Sequence, residues 1–244
     1  MKACALFLMA LVAGAQGVNF FSPESEAKLG ASLAESLLRD RAPTAHAEVR
    51  EYVQHLAQRM DLAVPLDASG RHFQLQKVAV ITGDTQGTFG THEPAVLPGG
   101  YIFVPESLLL AARDEAEFAG MLAHAMAHVT ERHATRLLTR SELANTANSS
   151  GDGRTVPMSM LVFQREFERE ADTLAVRIAA TAGFDPQALV RYIDRTQVDS
   201  RSKVFSPMPL RSERVEKIQR SIDTLPERHY TSSDEFLEIQ KLLR

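Results

Sequence analysis

Apolar residues recur at helical spacing in two early stretches. Ser22-Pro23-Glu24 is a helix start, with a capping hydroxyl, a first-turn proline and an acid near the positive dipole end. Leu29, Leu33, Leu37 and Leu38 then fall at intervals that share one face. A second helix follows Pro43, with Val49, Tyr52, Val53, Leu56 and Met60 on one side. Both are expected to cover a core. The pattern then becomes extended and mostly alternating through Phe73, Leu75, Val78 and Val80, with a turn at Gly83-Asp84. Thr88 to Val96 reads as another strand, Leu97-Pro98-Gly99-Gly100 as a tight turn, and Tyr101 to Val104 as a short β-rich run. A small antiparallel sheet with a hairpin at Pro98–Gly100 is predicted.

Helical patterning resumes near Glu106. One long helix is predicted from about Asp114 to Arg140, with Asp114, Glu115 and Glu117 in its first turn and Arg132, Arg136 and Arg140 towards its end. Ser141 to Pro157 is a polar, glycine-bearing loop. A second long helix is predicted from about Met158 to Ala182, ending at Gly183. Asp185-Pro186 starts another, and short helices around Ser212–Thr224 and Ser233–Leu243 follow. The fold class is α+β and mainly helical. A single domain is expected over residues 16–244: N-terminal helices at 16–65, the sheet at 70–105, and the remaining helices at 106–244.

Composition narrows the function classes. The 244 residues are 44% hydrophobic and 24% charged, with a formal net charge of -4. No basic block or stripe suggests nucleic acid. Lys2, the apolar run Ala3–Ala13 and the small-x-small triplet Ala13-Gly14-Ala15 form the pattern of a cleaved signal peptide over residues 1–15. The expected setting is therefore the periplasm or the exterior, with no transmembrane segment in the mature chain. Cys4, the single cysteine, falls inside that leader, so disulfides and thiolate ligands are excluded from the mature protein.

Candidate chemistry lies on the two long helices. His124 and His128 are four residues apart in His-Ala-Met-Ala-His, hence one turn apart on one face. Two such imidazoles can reach one zinc ion. Glu168 and Asp172 share a face of the second helix in the same way. Glu168 can complete a three-ligand site, and Asp172 can hold the outer nitrogen of a ligand histidine. Taken separately, each pair is better explained as incidental: two unrelated histidines on a helix, and a solvated charged face.

Five segments occur in one order: Leu97-Pro98-Gly99-Gly100-Tyr101-Ile102-Phe103-Val104, Leu122-Ala123-His124-Ala125-Met126-Ala127-His128-Val129, Arg132-His133, Glu168-Arg169-Glu170-Ala171-Asp172 and Ala182-Gly183-Phe184-Asp185-Pro186. Together they resemble the CAAX-prenyl-endopeptidase-like family of gluzincin metallopeptidases, and within it the periplasmic type with an N-terminal signal. The resemblance implies a zincin-like fold and one Zn2+ per chain, held by His124, His128 and Glu168 with Asp172 behind them. It implies a substrate-binding edge strand at Val96, Leu97, Pro98, Gly99 and Gly100, polypeptide substrates, and outer-membrane assembly proteins as partners.

The sequence departs from that family at positions that matter. The family's motif is His-Glu-x-x-His, and Ala125 stands where the glutamate relays protons between zinc-bound water and the leaving amine. Met208 stands where the family has a histidine, although Arg214 keeps the arginine that follows, a candidate for transition-state support. Glu93 replaces a frequent asparagine before the edge strand. Glu93 and Glu131 are the carboxylates considered as substitute bases. The expected function is that of a zinc metalloendopeptidase-family protein, impaired in turnover. The alternatives are a non-catalytic pseudopeptidase that binds unfolded polypeptide, and a metal-free interaction module of the envelope.

Overall fold

A computed structural model describes residues 18–66, 75–84, 90–147, 158–201, 206–230 and 233–244. The leader with Cys4, Phe73 and Thr88, and most of the loop predicted before Pro157 lie outside them. Helix α1 (Pro23–Asp40) is capped by Ser22, whose hydroxyl accepts from the Ser25 amide, and carries its proline in the first turn as expected. Helix α2 (Ala47–Asp61) buries Val49, Tyr52, Val53, Leu56 and Met60, the predicted face.

Three strands follow: β1 (Lys77–Ile81), β2 (Ala95–Leu97) and β3 (Tyr101–Pro105), in the order β1-β3-β2. β2 and β3 form the expected antiparallel hairpin, whereas β1 runs parallel to β3. The sheet is thus mixed, not wholly antiparallel. The parallel pairing needs the chain to return to the starting end of the sheet before β3, and β2, which runs opposite in direction to both β1 and β3, makes that return. The predicted strand at Thr88–Val96 shrinks to Ala95–Leu97.

The remaining helices are α3 (Glu106–Ala111), α4 (Glu115–Thr130), α5 (His133–Ala147), α6 (Met158–Thr181), α7 (Gln187–Thr196), α8 (Arg211–Ile222) and α9 (Glu235–Lys241). The single helix expected from Asp114 to Arg140 is therefore two. Arg132, at φ +55°, breaks it, and its Nε bonds Glu26 Oε1 of α1 at 2.9 Å. The turn is closed by the Glu131 amide on the Ala127 carbonyl and the Arg132 amide on that of Val129. Helix α5 runs on to Ala147, into the segment predicted as loop.

α4 is the central element, with Glu117–Ala127 entirely buried. Ala119, Gly120, Ala123 and Ala127 keep its surface low, so α6 and α7 approach closely. A Cβ at Gly120 would stand 3.2 Å from the Leu189 Cβ of α7. On the far side of the sheet, α1 packs Ala34 against Ile81 and Phe103. None of the helices among the described residues is long and apolar enough to cross a membrane.

Candidate metal centre

α4 and α6 lie side by side, and their facing surfaces carry the candidate ligands. His124 Nε2 is 3.0 Å from His128 Nε2 and 3.4 Å from Glu168 Oε2, and His128 Nε2 is 3.7 Å from Glu168 Oε1. Bonds of about 2.0–2.1 Å to one tetrahedral ion put donor atoms roughly 3.3 Å apart. The three side chains straddle that spacing, all donor atoms lying within 4.8 Å of one another. Glu168 Oε2 is buried and makes no hydrogen bond, although it is within ion-pair reach of His124. A buried carboxylate oxygen left in that state calls for a cation. Two imidazoles and one carboxylate are a zinc donor set, and they leave one coordination position open.

Behind the ligands stands a buried charge network. His124 Nδ1 lies 3.0 Å from Asp172 Oδ1. Asp172 also receives two bonds from Arg214, Nε to Oδ2 and Nη2 to Oδ1, both 2.8 Å. Burial works against ionisation of Asp172, but the Arg214 guanidinium outweighs it and holds the carboxyl below its ordinary range. Burial likewise opposes charge on His124, yet Asp172 and Glu168 together raise its pKa to about 10. A zinc ion would displace that proton, because metal and proton compete for one nitrogen lone pair.

Other sequence-derived positions are distributed as follows. Ala125 lines a cavity of about 160 Å³ with Glu93, Pro94, Val96, His124, His128 and Glu168. Its side chain, a methyl group, offers no proton-transferring atom to that cavity. Arg214, a candidate for transition-state support, has all three of its guanidinium nitrogens engaged. Besides Asp172, its Nη1 bonds Gln197 at 3.0 Å and Glu93 at 3.2 Å and contacts the Met208 sulfur at 3.3 Å. Met208 is buried against that guanidinium and is not among the cavity-lining residues. Glu93 does line the cavity. Glu131 instead caps α4, faces Arg136 at 3.8 Å and is not among the cavity-lining residues.

Of the five edge-strand positions, Val96 alone lines the cavity. Leu97 turns to the opposite face and borders a groove beside α1. Pro98, Gly99 and Gly100 form the turn, which α1 approaches so closely that a Cβ on Gly30 would stand 1.9 Å from the Pro98 carbonyl oxygen. Among the described residues β2 pairs only with β3, which leaves its other edge without a described strand partner.

A further cluster adjoins the ligands that sequence spacing does not connect to them. His133 Nδ1 is 2.9 Å from His128 Nδ1, and His133 Nε2 is 3.0 Å from Glu170 Oε2. Arg136 Nη1 bonds the same Glu170 oxygen at 2.9 Å. Burial opposes charge on Glu170, but His133 and Arg136 bring its pKa down to about 2. Burial takes that of His133 down to about 4. Five residues along a helix rotate through roughly 140°, so nothing in the spacing of His128 and His133 brings them together.

A helical framework with two histidines one turn apart and a carboxylate from a neighbouring helix defines a zincin-type metallopeptidase. Residues 45–222 match Peptidase family M48, and the chain belongs to that family. It is similar to the beta-barrel assembly-enhancing protease of Yersinia pestis, at 29% identity over 124 residues, 42% of this chain and 26% of the relative. The protein of that name from Escherichia coli is 25% identical over 118 residues, 40% of this chain and 24% of the relative. The mitochondrial metalloendopeptidase OMA1 of Schizosaccharomyces pombe is 30% identical over 148 residues, 54% of this chain and 43% of the relative. The matched stretch thus spans about a quarter of the bacterial relatives.

Proposed function

We propose that the protein binds one zinc ion through His124, His128 and Glu168 and receives extended polypeptide in the cell envelope, with peptide hydrolysis impaired. The observation that carries this reading is the methyl group of Ala125 in the wall of the cavity where the three ligands converge. Bound zinc would polarise a peptide carbonyl and acidify a water molecule. Around it, this chain positions two imidazoles through buried partners and holds Glu168 ionised. What it does not offer from α4 is a group to move the proton. Absence of such a group costs about 10²–10⁴ in rate.

The substrate class follows from β2. An extended segment can add to its free edge by main-chain hydrogen bonds and lay side chains past Val96 towards the ligands. Relatives named for β-barrel assembly support an envelope setting, a signal-bearing periplasmic form and outer-membrane assembly proteins as clients or partners. The order of motifs supports the CAAX-prenyl-endopeptidase-like branch. A second reading, a pseudopeptidase that holds polypeptide without cutting it, draws on the same free edge beside an intact ligand set.

Elemental analysis combined with cleavage of an unfolded test protein tests the proposal. One zinc per chain, slow or absent cleavage, and a gain of at least about 10²-fold in Ala125→Glu are expected. Rapid zinc-dependent cleavage by the unaltered chain would overturn the impairment, and absence of zinc would overturn the whole reading. If Ala125→Glu gains nothing while still holding zinc, the pseudopeptidase reading replaces the impaired peptidase.

A further inference from the structure

Resting on the zinc reading of the same site, we infer that His133 is a positioning residue for the metal: it accepts the Nδ1 proton of His128 and passes the constraint to Glu170 and Arg136. The argument is one of hydrogen-bond directions. His128 points its Nε2 at His124 Nε2 and Glu168, so Nε2 is the nitrogen that faces the shared ion. A ligating imidazole is neutral, so its other nitrogen carries the hydrogen. His128 Nδ1 must therefore donate, and the atom facing it at 2.9 Å is His133 Nδ1, which must accept. A neutral His133 accepting at Nδ1 carries its own hydrogen on Nε2. That atom lies 3.0 Å from Glu170 Oε2, an acceptor fixed in turn by Arg136. Every hydrogen in the chain then has a single place.

The surroundings hold the relay in this geometry. The His133 ring stacks on Phe167, with centroids 4.4 Å apart and planes 12° from parallel, while Arg136 lies over the same Phe167 from 4.6 Å. His133 and Arg136 are both buried. The helix break at Arg132 permits the contact, because His133 opens a new helix there instead of continuing the turns of α4, on which it would lie on a different face from His128. The two ligand imidazoles are thus braced separately: His124 by Asp172 and Arg214, His128 by His133, Glu170 and Arg136. Helix α6 supplies Glu168 and both bracing carboxylates within one five-residue segment.

The test measures zinc affinity of the purified full chain by competition with a chelator, with the visible spectrum of the cobalt-substituted protein as a second readout. Partners that orient a metal-bound histidine contribute about 10–100-fold to metal affinity. His133→Phe keeps the stack on Phe167 but removes the acceptor. It is expected to weaken zinc by that factor and to alter the cobalt spectrum, while the metal-free protein melts cooperatively. Glu170→Gln retains an oxygen to accept from His133 Nε2 and stays near the unaltered affinity, whereas Glu170→Leu loses affinity as His133→Phe does. If His133→Phe does not fold, the Glu170 pair decides alone. Folded variants that bind zinc as tightly as the unaltered chain, with its cobalt spectrum, overturn the relay and leave the zinc site standing. An unaltered chain that takes up no zinc overturns both.

Discussion

Arg214 of α8 grips Asp172 of α6 with two parallel hydrogen bonds of 2.8 Å, and both side chains are fully buried. The pair ties α8 to the helix that carries Glu168, and its carboxylate reaches on to His124. Removing one member leaves an uncompensated charge in the interior. Arg214→Ala is expected to cost about 3–5 kcal/mol in urea-induced unfolding. Arg214→Lys recovers only part of this, because an ammonium cannot reproduce the two-pronged contact.

Zinc removal forms a second prediction. The candidate ligands converge only in the folded chain, so an ion held by them would bind the native state preferentially. With free zinc at 100 times its Kd, stability is expected to exceed that of the chelated protein by about 2.7 kcal/mol. Calorimetry with and without chelator measures it. Substituting Glu168 by Gln should abolish the difference.

Alkaline pH addresses a different part of the core. Tyr52 donates to Glu115 Oε1 at 2.7 Å, linking α2 to the start of α4. Burial first, then the Glu115 hydrogen bond and charge, raise the phenol above its ordinary value of 10.0. The raised folded-state pKa means that this stability is complete below pH 10 and is lost as pH rises beyond it, since the unfolded chain gives up the proton first. The expected slope is about 1.4 kcal/mol per pH unit. Urea titrations between pH 9 and 11 should show a shallower decline in Tyr52→Phe.

The contact of α1 with the turn before β3 has no spare room. A methyl at Gly30 would collide with the Pro98 carbonyl oxygen, a backbone atom that cannot rotate away. Gly30→Ala should destabilise the fold by about 1–3 kcal/mol. Because the same turn holds β2, this change should also weaken capture of an extended peptide, measurable by fluorescence anisotropy of a labelled strand.

Local rules carried a good part of the structure. The Ser22 cap with Pro23, the apolar face from Val49 to Met60, and the i,i+4 pairs His124/His128 and Glu168/Asp172 all depend on neighbours within one or two turns. Where distant residues decided, the sequence pattern misled. Val78 and Val80 alternate as any strand does, and alternation does not say whether the partner runs parallel. Helical patterning continues past Arg132, yet Glu26 and the Phe21 carbonyl, more than a hundred residues earlier, capture its side chain as the helix turns.

The order of motifs, the residue types of the candidate ligands and the alanine at position 125 between them were thus determined by the sequence alone, because each is a matter of which side chain occupies a position along the chain. Tertiary structure alone decided that Arg214 is spent on Asp172, that Met208 packs against that guanidinium, and that His133 meets His128. Those contacts join separate elements, and their geometry is set by how α4, α5, α6 and α8 pack around one core.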